Sequence, residues 1–212
     1  IHQQLASGTK LFCSCPVPKN TDEKGEDFLE KQSFSGSQRS SATLQIPVEI
    51  RRKMRPVAGE TGNVDVAALH EFLRNRTFVY KASPKTSCLV ELDEQPPKPA
   101  NRKALQTALQ ICRLFGCTVL DEIHFMRKTI IDGSAVSSFQ RTAFIGMNGY
   151  IKTDMGKVGI KSVSLEEDSA APFGDGYRLD RLGIPLVEIA TSPDIKSPQH
   201  AKEVAEEIGL ML

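Results

Sequence analysis

Along this chain the period of apolar and polar positions changes several times, and each change marks an element. Near the start, IHQQL and KLFCSC alternate on either side of Ser7-Gly8, which predicts two short strands around a turn, with His2 and Gln4 sharing a face. TLQIPVEI alternates in the same way. The basic loop RRKMRPVAGETGNVD follows it and ends at Asp65, an N-cap for the helix VAALHEFLRN. Residues 76–93 read as two further strands. PPKP then breaks the chain before a helix over about 102–115. There Ala104, Leu105, Ala108, Leu109, Ile111, Cys112 and Phe115 recur at helical spacing between Asn101 as cap and Gly116 as stop.

From about 117 to 190 the period falls to two, and DGS, NG, MGK, GDG and LGIP punctuate it as turns, which predicts a largely antiparallel sheet. A last helix starts at Ser197-Pro198 with Ala201, Val204, Ala205, Ile208 and Met211 as its apolar stripe. Strands and helices mix without regular strand-helix alternation, so the expected class is α+β. Residues 19–42 are rich in Lys, Glu, Ser and Gly and predict a flexible, solvated loop without chemistry.

A chain of 212 residues with 40% apolar positions fits one domain, residues 1–212, with a real core. The net charge of +1 exerts little long-range pull, so an anionic partner needs a local cluster of Lys and Arg. Five cysteines, an odd count, and an opening without a basic-then-apolar segment argue for reduced thiols in a cytoplasmic protein. No apolar run approaches the roughly 20 residues of a membrane span. The chain opens without Met and stops inside a helical pattern, as expected of part of a longer subunit.

The chemistry gathers in two acidic motifs. In IPLVEIA, period two puts Glu188 on a face with Leu186 and Ala190, where a carboxylate is costly unless a cation or hydrogen bonds compensate it. LEEDS adds Glu166, Glu167 and Asp168 at the end of another strand, and hard oxygen ligands from separate strands suit Mg²⁺. The alternative is that Glu166 and Glu188 pair with Arg178 or Arg181, or face solvent. MRKTIIDGSAVSSFQR concentrates Arg127, Lys128, Asp132, Gln140 and Arg141 around a glycine turn that also holds Ser134, a group able to clamp phosphate or to be a solvated basic turn. Arg51, Arg52, Lys53 and Arg55 suit a nucleic-acid backbone, or a soluble loop. Cys13 and Cys15, with Cys88 and Glu91, make a candidate structural Zn²⁺ site, whereas Cys112 and Cys117 are expected in the core.

In their order and spacing, IHQQL, KLFCSCP, MRPVAGETGNVD, CLVELDEQPP, MRKTIIDGS, SFQRTAF, SLEEDSA and YRLDRLGIPLVEIATSPDI resemble the E subunit family of the archaeal glutamyl-tRNA(Gln) amidotransferases. The likeness runs from residue 1 to 212 and is more distant to the B subunit of the bacterial and organellar enzyme. It implies a cradle-shaped catalytic domain related to glutamine synthetase, on a curved antiparallel sheet with flanking helices. It also implies that ATP phosphorylates the side chain of glutamate esterified to tRNA(Gln), and that ammonia then displaces phosphate. Matched to the family motifs, the Mg²⁺ ligands are His2, Glu166 and Glu188, with Glu167 and Asp168 as the nearest substitutes. Arg127 and Lys128 are implied as catalytic, and Gln140, with Arg141, Asp132 and Ser134, as substrate or nucleotide contacts.

The resemblance further implies an asparaginase-like D subunit as ammonia donor, in a heterotetramer with two copies of each subunit. Two departures stand out. The family usually reads DGSN and SGFQR where this chain has Ala135 and Ser138, and residues after its EED motif are usually basic where this chain has Ala170, Ala171 and Pro172. These departures motivate a second reading, a tRNA-binding or scaffold module without catalysis.

Overall fold

The computed structural model describes residues 1–18 and 48–212, so the predicted loop over 19–42 and the first half of TLQIPVEI lie outside the described residues. Ten strands and three helices follow in the order β1 (His2–Gln4), β2 (Val48–Lys53), α1 (Val66–Leu73), β3 (Thr77–Ala82), α2 (Arg102–Leu114), β4 (Thr118–Val119), β5 (Met126–Thr129), β6 (Phe139–Thr153), β7 (Gly156–Glu167), β8 (Ala171–Phe173), β9 (Gly176–Arg178), β10 (Pro185–Thr191) and α3 (Pro198–Met211). The class is α+β.

The larger sheet runs β1-β10-β7-β6-β4, with β5 also on β6, and each of its pairs is antiparallel. The smaller sheet runs β2-β3-β9-β8 and contains one parallel pair, β3 with β9. The helices start where their caps predict: Asp65, Asn101 and Ser197 each accept a backbone N–H of the first turn. Ala104, Ala108, Ile111 and Cys112 of α2 pack on Ile160, Val163, Leu165, Val187 and Ile189 of the larger sheet, together with Val204 and Ile208 of α3. Each fully buried aliphatic side chain contributes roughly 1.5–3 kcal/mol. α2 and α3 occupy one face, so alternation turns Ser164, Glu166 and Glu188 to the other.

Several expectations need correction. KLFCSC is not a strand: Leu11, Phe12 and Cys13 are buried in succession, and the segment folds back so that Thr9 bridges Pro16. Of the two strands expected over 76–93 only β3 forms; after it, helical turns bond Ser87 N–H to Ser83 O and Leu92 N–H to Cys88 O. Asn148-Gly149 is no turn but lies inside β6. A Cβ at Gly149 would meet Cys117 Sγ at 2.4 Å and Phe115 O at 2.7 Å, so this glycine serves the close approach of strand to helix end. The stripe of α3 contains His200, Val204 and Ile208, while Ala201 and Ala205 are exposed. His200 escapes an apolar pattern because it is polar; inside, it meets Thr153 Oγ1 at 3.3 Å.

The hairpin turns at Asp154-Met155 and Gly174-Asp175 stand where predicted. Ser138 holds φ +64° and is buried, its hydroxyl accepting the Arg55 N–H at 3.3 Å. Arg51, Arg52 and Lys53 belong to β2 rather than to a loop, facing Glu49, Glu94 and Asn75 respectively. Among the described residues no helix is long and apolar enough to cross a membrane.

Candidate metal centre and active site

Three neighbouring strands set the first site. Register places His2 opposite Glu188 in the β1–β10 pair, Leu186 opposite Glu166 in β10–β7, and Thr142 opposite Glu166 in β6–β7. The side chains therefore share the face away from α2 and α3, and one ligand atom from each of His2, Glu166 and Glu188 lies within 4.8 Å of the others. His2 Nε2 is 3.3 Å from Glu188 Oε1. Residues far apart in the chain meet because β10 returns beside β7 and captures the first strand.

Glu166 is 1% exposed, and three donors hold its carboxylate: Lys128 Nζ at 3.0 Å, Gln140 Nε2 at 3.3 Å and the Thr142 hydroxyl. Burial opposes ionisation of Glu188, but the hydrogen bond from His2 and the Lys128 charge outweigh it and hold the carboxyl below its ordinary range. Two carboxylates and an imidazole on rigid strands form a donor set that fits a divalent cation, with positions left over for water and phosphate oxygens. The expectation that Arg178 or Arg181 neutralises these carboxylates is not met: Arg178 faces Asp180 at 3.5 Å, and Arg181 Nε lies 3.7 Å from Asp168.

The other predicted residues divide between surroundings. Lys128 and Gln140 pair across β5–β6 and join the carboxylates. Arg127 and Arg141, at the alternate positions, gather instead on the Phe139 ring at 5.6 and 5.2 Å. Arg141 also binds Glu167 at 3.1 Å; burial pushes that carboxyl up against the pull of Arg141. Arg127 opens on a cavity of about 620 Å³ between β5 and the segment from Arg55 to Glu60, lined also by Phe125 and Phe139. Asp132 closes its own turn by accepting the Ser134 N–H at 2.8 Å, and its carbonyl accepts the Tyr177 hydroxyl at 2.8 Å. Ser134 O accepts the Ala170 N–H, so this turn rests on the smaller sheet. Asp168 accepts Gln4 Nε2 at 2.6 Å.

Thr142 is not among the predicted site residues, although period two from Gln140 points to it, and Gln4, predicted on the face of His2, contacts Asp168 there. Sequence reasoning misses Lys10 outright. That lysine is fully buried, with Nζ 3.0 Å from Leu179 O and 3.5 Å from Glu91 Oε1.

Lys10 adjoins a second cluster. Ligand atoms of Cys13, Cys15, Cys88 and Glu91 lie within 4.8 Å of one another, so this group could bind a metal. Cys13 Sγ is 2.9 Å from Glu91 Oε1, and the Cys88 N–H donates to Oε2 at 2.7 Å. The Cys13 thiol is pushed up by its hydrogen bond to Cys15, by burial and by Glu91; burial raises Cys88 as well. Burial also works against ionised Glu91, yet the Lys10 charge and the thiol hydrogen bonds keep its carboxyl below the ordinary range. Cys112 is buried, its thiol pushed up by burial to about 12, and Cys117 packs beside it.

The family described as "GatB/GatE catalytic domain" matches residues 1–212. The E subunit of the glutamyl-tRNA(Gln) amidotransferase of Aeropyrum pernix is 44% identical over 217 residues, and that of Methanocaldococcus jannaschii 46% over 217 residues. The match covers 100% of this chain in both cases, and 30% and 31% of the relatives, so the chain spans about a third of their length. The same protein of Methanosarcina barkeri is 46% identical over the same span. Strand-borne carboxylates, an N-terminal histidine delivered to them and a whole-length match agree: the chain belongs to the GatB/GatE catalytic domain family.

Proposed function

We propose that this chain is the catalytic part of an ATP-dependent glutamyl-tRNA(Gln) amidotransferase, and that His2, Glu166 and Glu188 hold its Mg²⁺. The observation that carries the reading is the convergence of these three side chains in a chain that matches the GatB/GatE catalytic domain over residues 1–212. The larger sheet then forms the floor of a glutamine synthetase-like cradle, and residues 1–212 act as one unit. A bound Mg²⁺ would polarise phosphate oxygens and neutralise charge developing on the transferred phosphoryl group.

The chemistry needs that help because a carboxylate is a poor acyl electrophile. A side-chain oxygen of the tRNA-bound glutamate attacks the γ-phosphorus of ATP, ADP leaves, and the acyl phosphate offers phosphate as leaving group to ammonia. Lys128 and Gln140, already at the carboxylates, face the transferring group, while Arg127, on the opposite face of β5, contacts an anionic part of the substrate or nucleotide at the large cavity. Asp132 and Ser134 hold the turn that leads from β5 to β6. Ammonia comes from an asparaginase-like D subunit in a heterotetramer with two copies of each subunit, in the cytoplasm. Three thiols and a carboxylate suit structural Zn²⁺, with Lys10 offsetting the excess negative charge of that donor set.

The test is ATP hydrolysis dependent on Glu-tRNA(Gln) by the full-length protein with its partner. Glu166→Gln and Glu188→Gln each abolish it under this reading; unchanged turnover in both refutes the ligand assignment. A scaffold without catalysis would instead keep tRNA binding and show no turnover in the parent protein.

A further inference from the structure

Lys128 sits where an incoming cation would go. Its ammonium is 3.0 Å from Glu166 Oε1, and a carboxylate oxygen of Glu188 lies within 4.8 Å of one on Glu166. A Mg²⁺ ion on that same oxygen, at about 2.1 Å, would stand within about 5 Å of the lysine nitrogen, two like charges against one carboxylate pair. The lysine is also the partner of Glu166 that reaches it from solvent. Its side chain is 46% exposed, whereas Glu166 is buried, and Gln140 and Thr142 still hold Glu166 if the lysine leaves.

We infer that Lys128 is a resident counter-cation of the Glu166–Glu188 pair, which a divalent ion must displace and which, once displaced, is free to meet an anionic oxygen of the substrate. This rests on the reading of His2, Glu166 and Glu188 as the ligand set. The physical reason is charge balance. Two close carboxylates repel, and a lysine on a flexible four-carbon stem quiets them without fixing geometry. Its cost is weaker binding of the bare divalent ion, so the device favours loading of metal together with an anionic substrate that accepts the released lysine.

The test is titration of Mn²⁺ without nucleotide into the full-length protein, read by calorimetry and by the spin resonance of free Mn²⁺. Lys128→Met removes the charge and keeps the stem, and it should bind Mn²⁺ at least about tenfold tighter, since a unit charge a few ångströms from a divalent ion outweighs that factor near a protein surface. Lys128→Arg, which keeps the charge, should bind like the parent. A Lys128→Met protein that binds Mn²⁺ equally or more weakly overturns the inference. Should it fail to fold by thermal melting, Lys128→Gln carries the same expectation. Glu188→Gln separates the two levels: if it leaves Mn²⁺ binding unchanged, the ligand set itself is wrong; if it loses binding while Lys128→Met gains none, only the lysine's role falls.

Discussion

His2 Nε2 lies 3.3 Å from Glu188 Oε1 because β1 joins the outer edge of β10 with those two residues in register. The imidazole is 57% exposed, so it contributes little to the core. His2→Ala should leave the melting temperature within about 2 °C, since surface changes stay within about 0.5 kcal/mol. Mn²⁺ affinity should nevertheless fall at least about tenfold, the size seen for groups that support metal ligands. Unchanged affinity by calorimetry would remove His2 from the ligand set.

Thr142 is a donor to Glu166 that the candidate motifs do not include. Its hydroxyl binds buried Glu166, so Thr142→Val leaves the carboxylate one donor short at nearly constant volume. Stability should fall by about 1–3 kcal/mol, and metal affinity by about 10–100-fold. Denaturant unfolding with and without Mn²⁺ measures both. A variant as stable as the parent and as tight for Mn²⁺ would show that the hydroxyl is not needed to orient Glu166.

Gly133 holds φ +91°, and a Cβ there would lie 2.2 Å from the Phe78 ring. The turn is pinned further by the Tyr80 hydroxyl, which donates to Gly133 O at 2.6 Å. Gly133→Ala combines backbone strain with overpacking and should cost upwards of about 2 kcal/mol. Thermal unfolding checks it, and a cost under about 0.5 kcal/mol, the range of an ordinary surface change, would mean that the turn and β3 are not rigidly packed together.

At the thiol cluster the shifts fix a pH dependence. The Cys13 and Cys88 thiols are raised, so they hold their protons at neutral pH and must release them when they bind a cation as thiolates. Zn²⁺ affinity should therefore climb as pH rises from about 6 to about 8, with protons released on binding in weakly buffered solution. Affinity that stays flat over that range would exclude thiolate ligation. Chelation should lower the melting temperature, because the cluster ties the loop at Cys13 and Cys15 to the turn at Cys88 and Glu91.

What is legible in the sequence is local. Caps and stripes locate α2, and period two puts Glu188 on a face without Val187 and Ile189. The segment around Leu11 defeats such a reading because four successive buried side chains, Lys10 to Cys13, follow no period, and Lys10 reaches Leu179 O across the fold. The likeness to the family supplies the long-range pairing of His2 with Glu166 and Glu188, which no local pattern encodes. It does not reveal that Arg127 and Arg141 alternate away from Lys128, since that follows from the β5–β6 register.

A divalent ion held by three side chains from three adjacent strands is the core of the proposed mechanism. Diffraction at the manganese absorption edge, from crystals of the full-length protein soaked with Mn²⁺ and a non-hydrolysable ATP analogue, tests it directly. The expected result is an anomalous peak within coordination distance of His2, Glu166 and Glu188, with Lys128 withdrawn from Glu166. A peak ligated by Glu167 and Asp168 instead, or no peak near these residues, would contradict it.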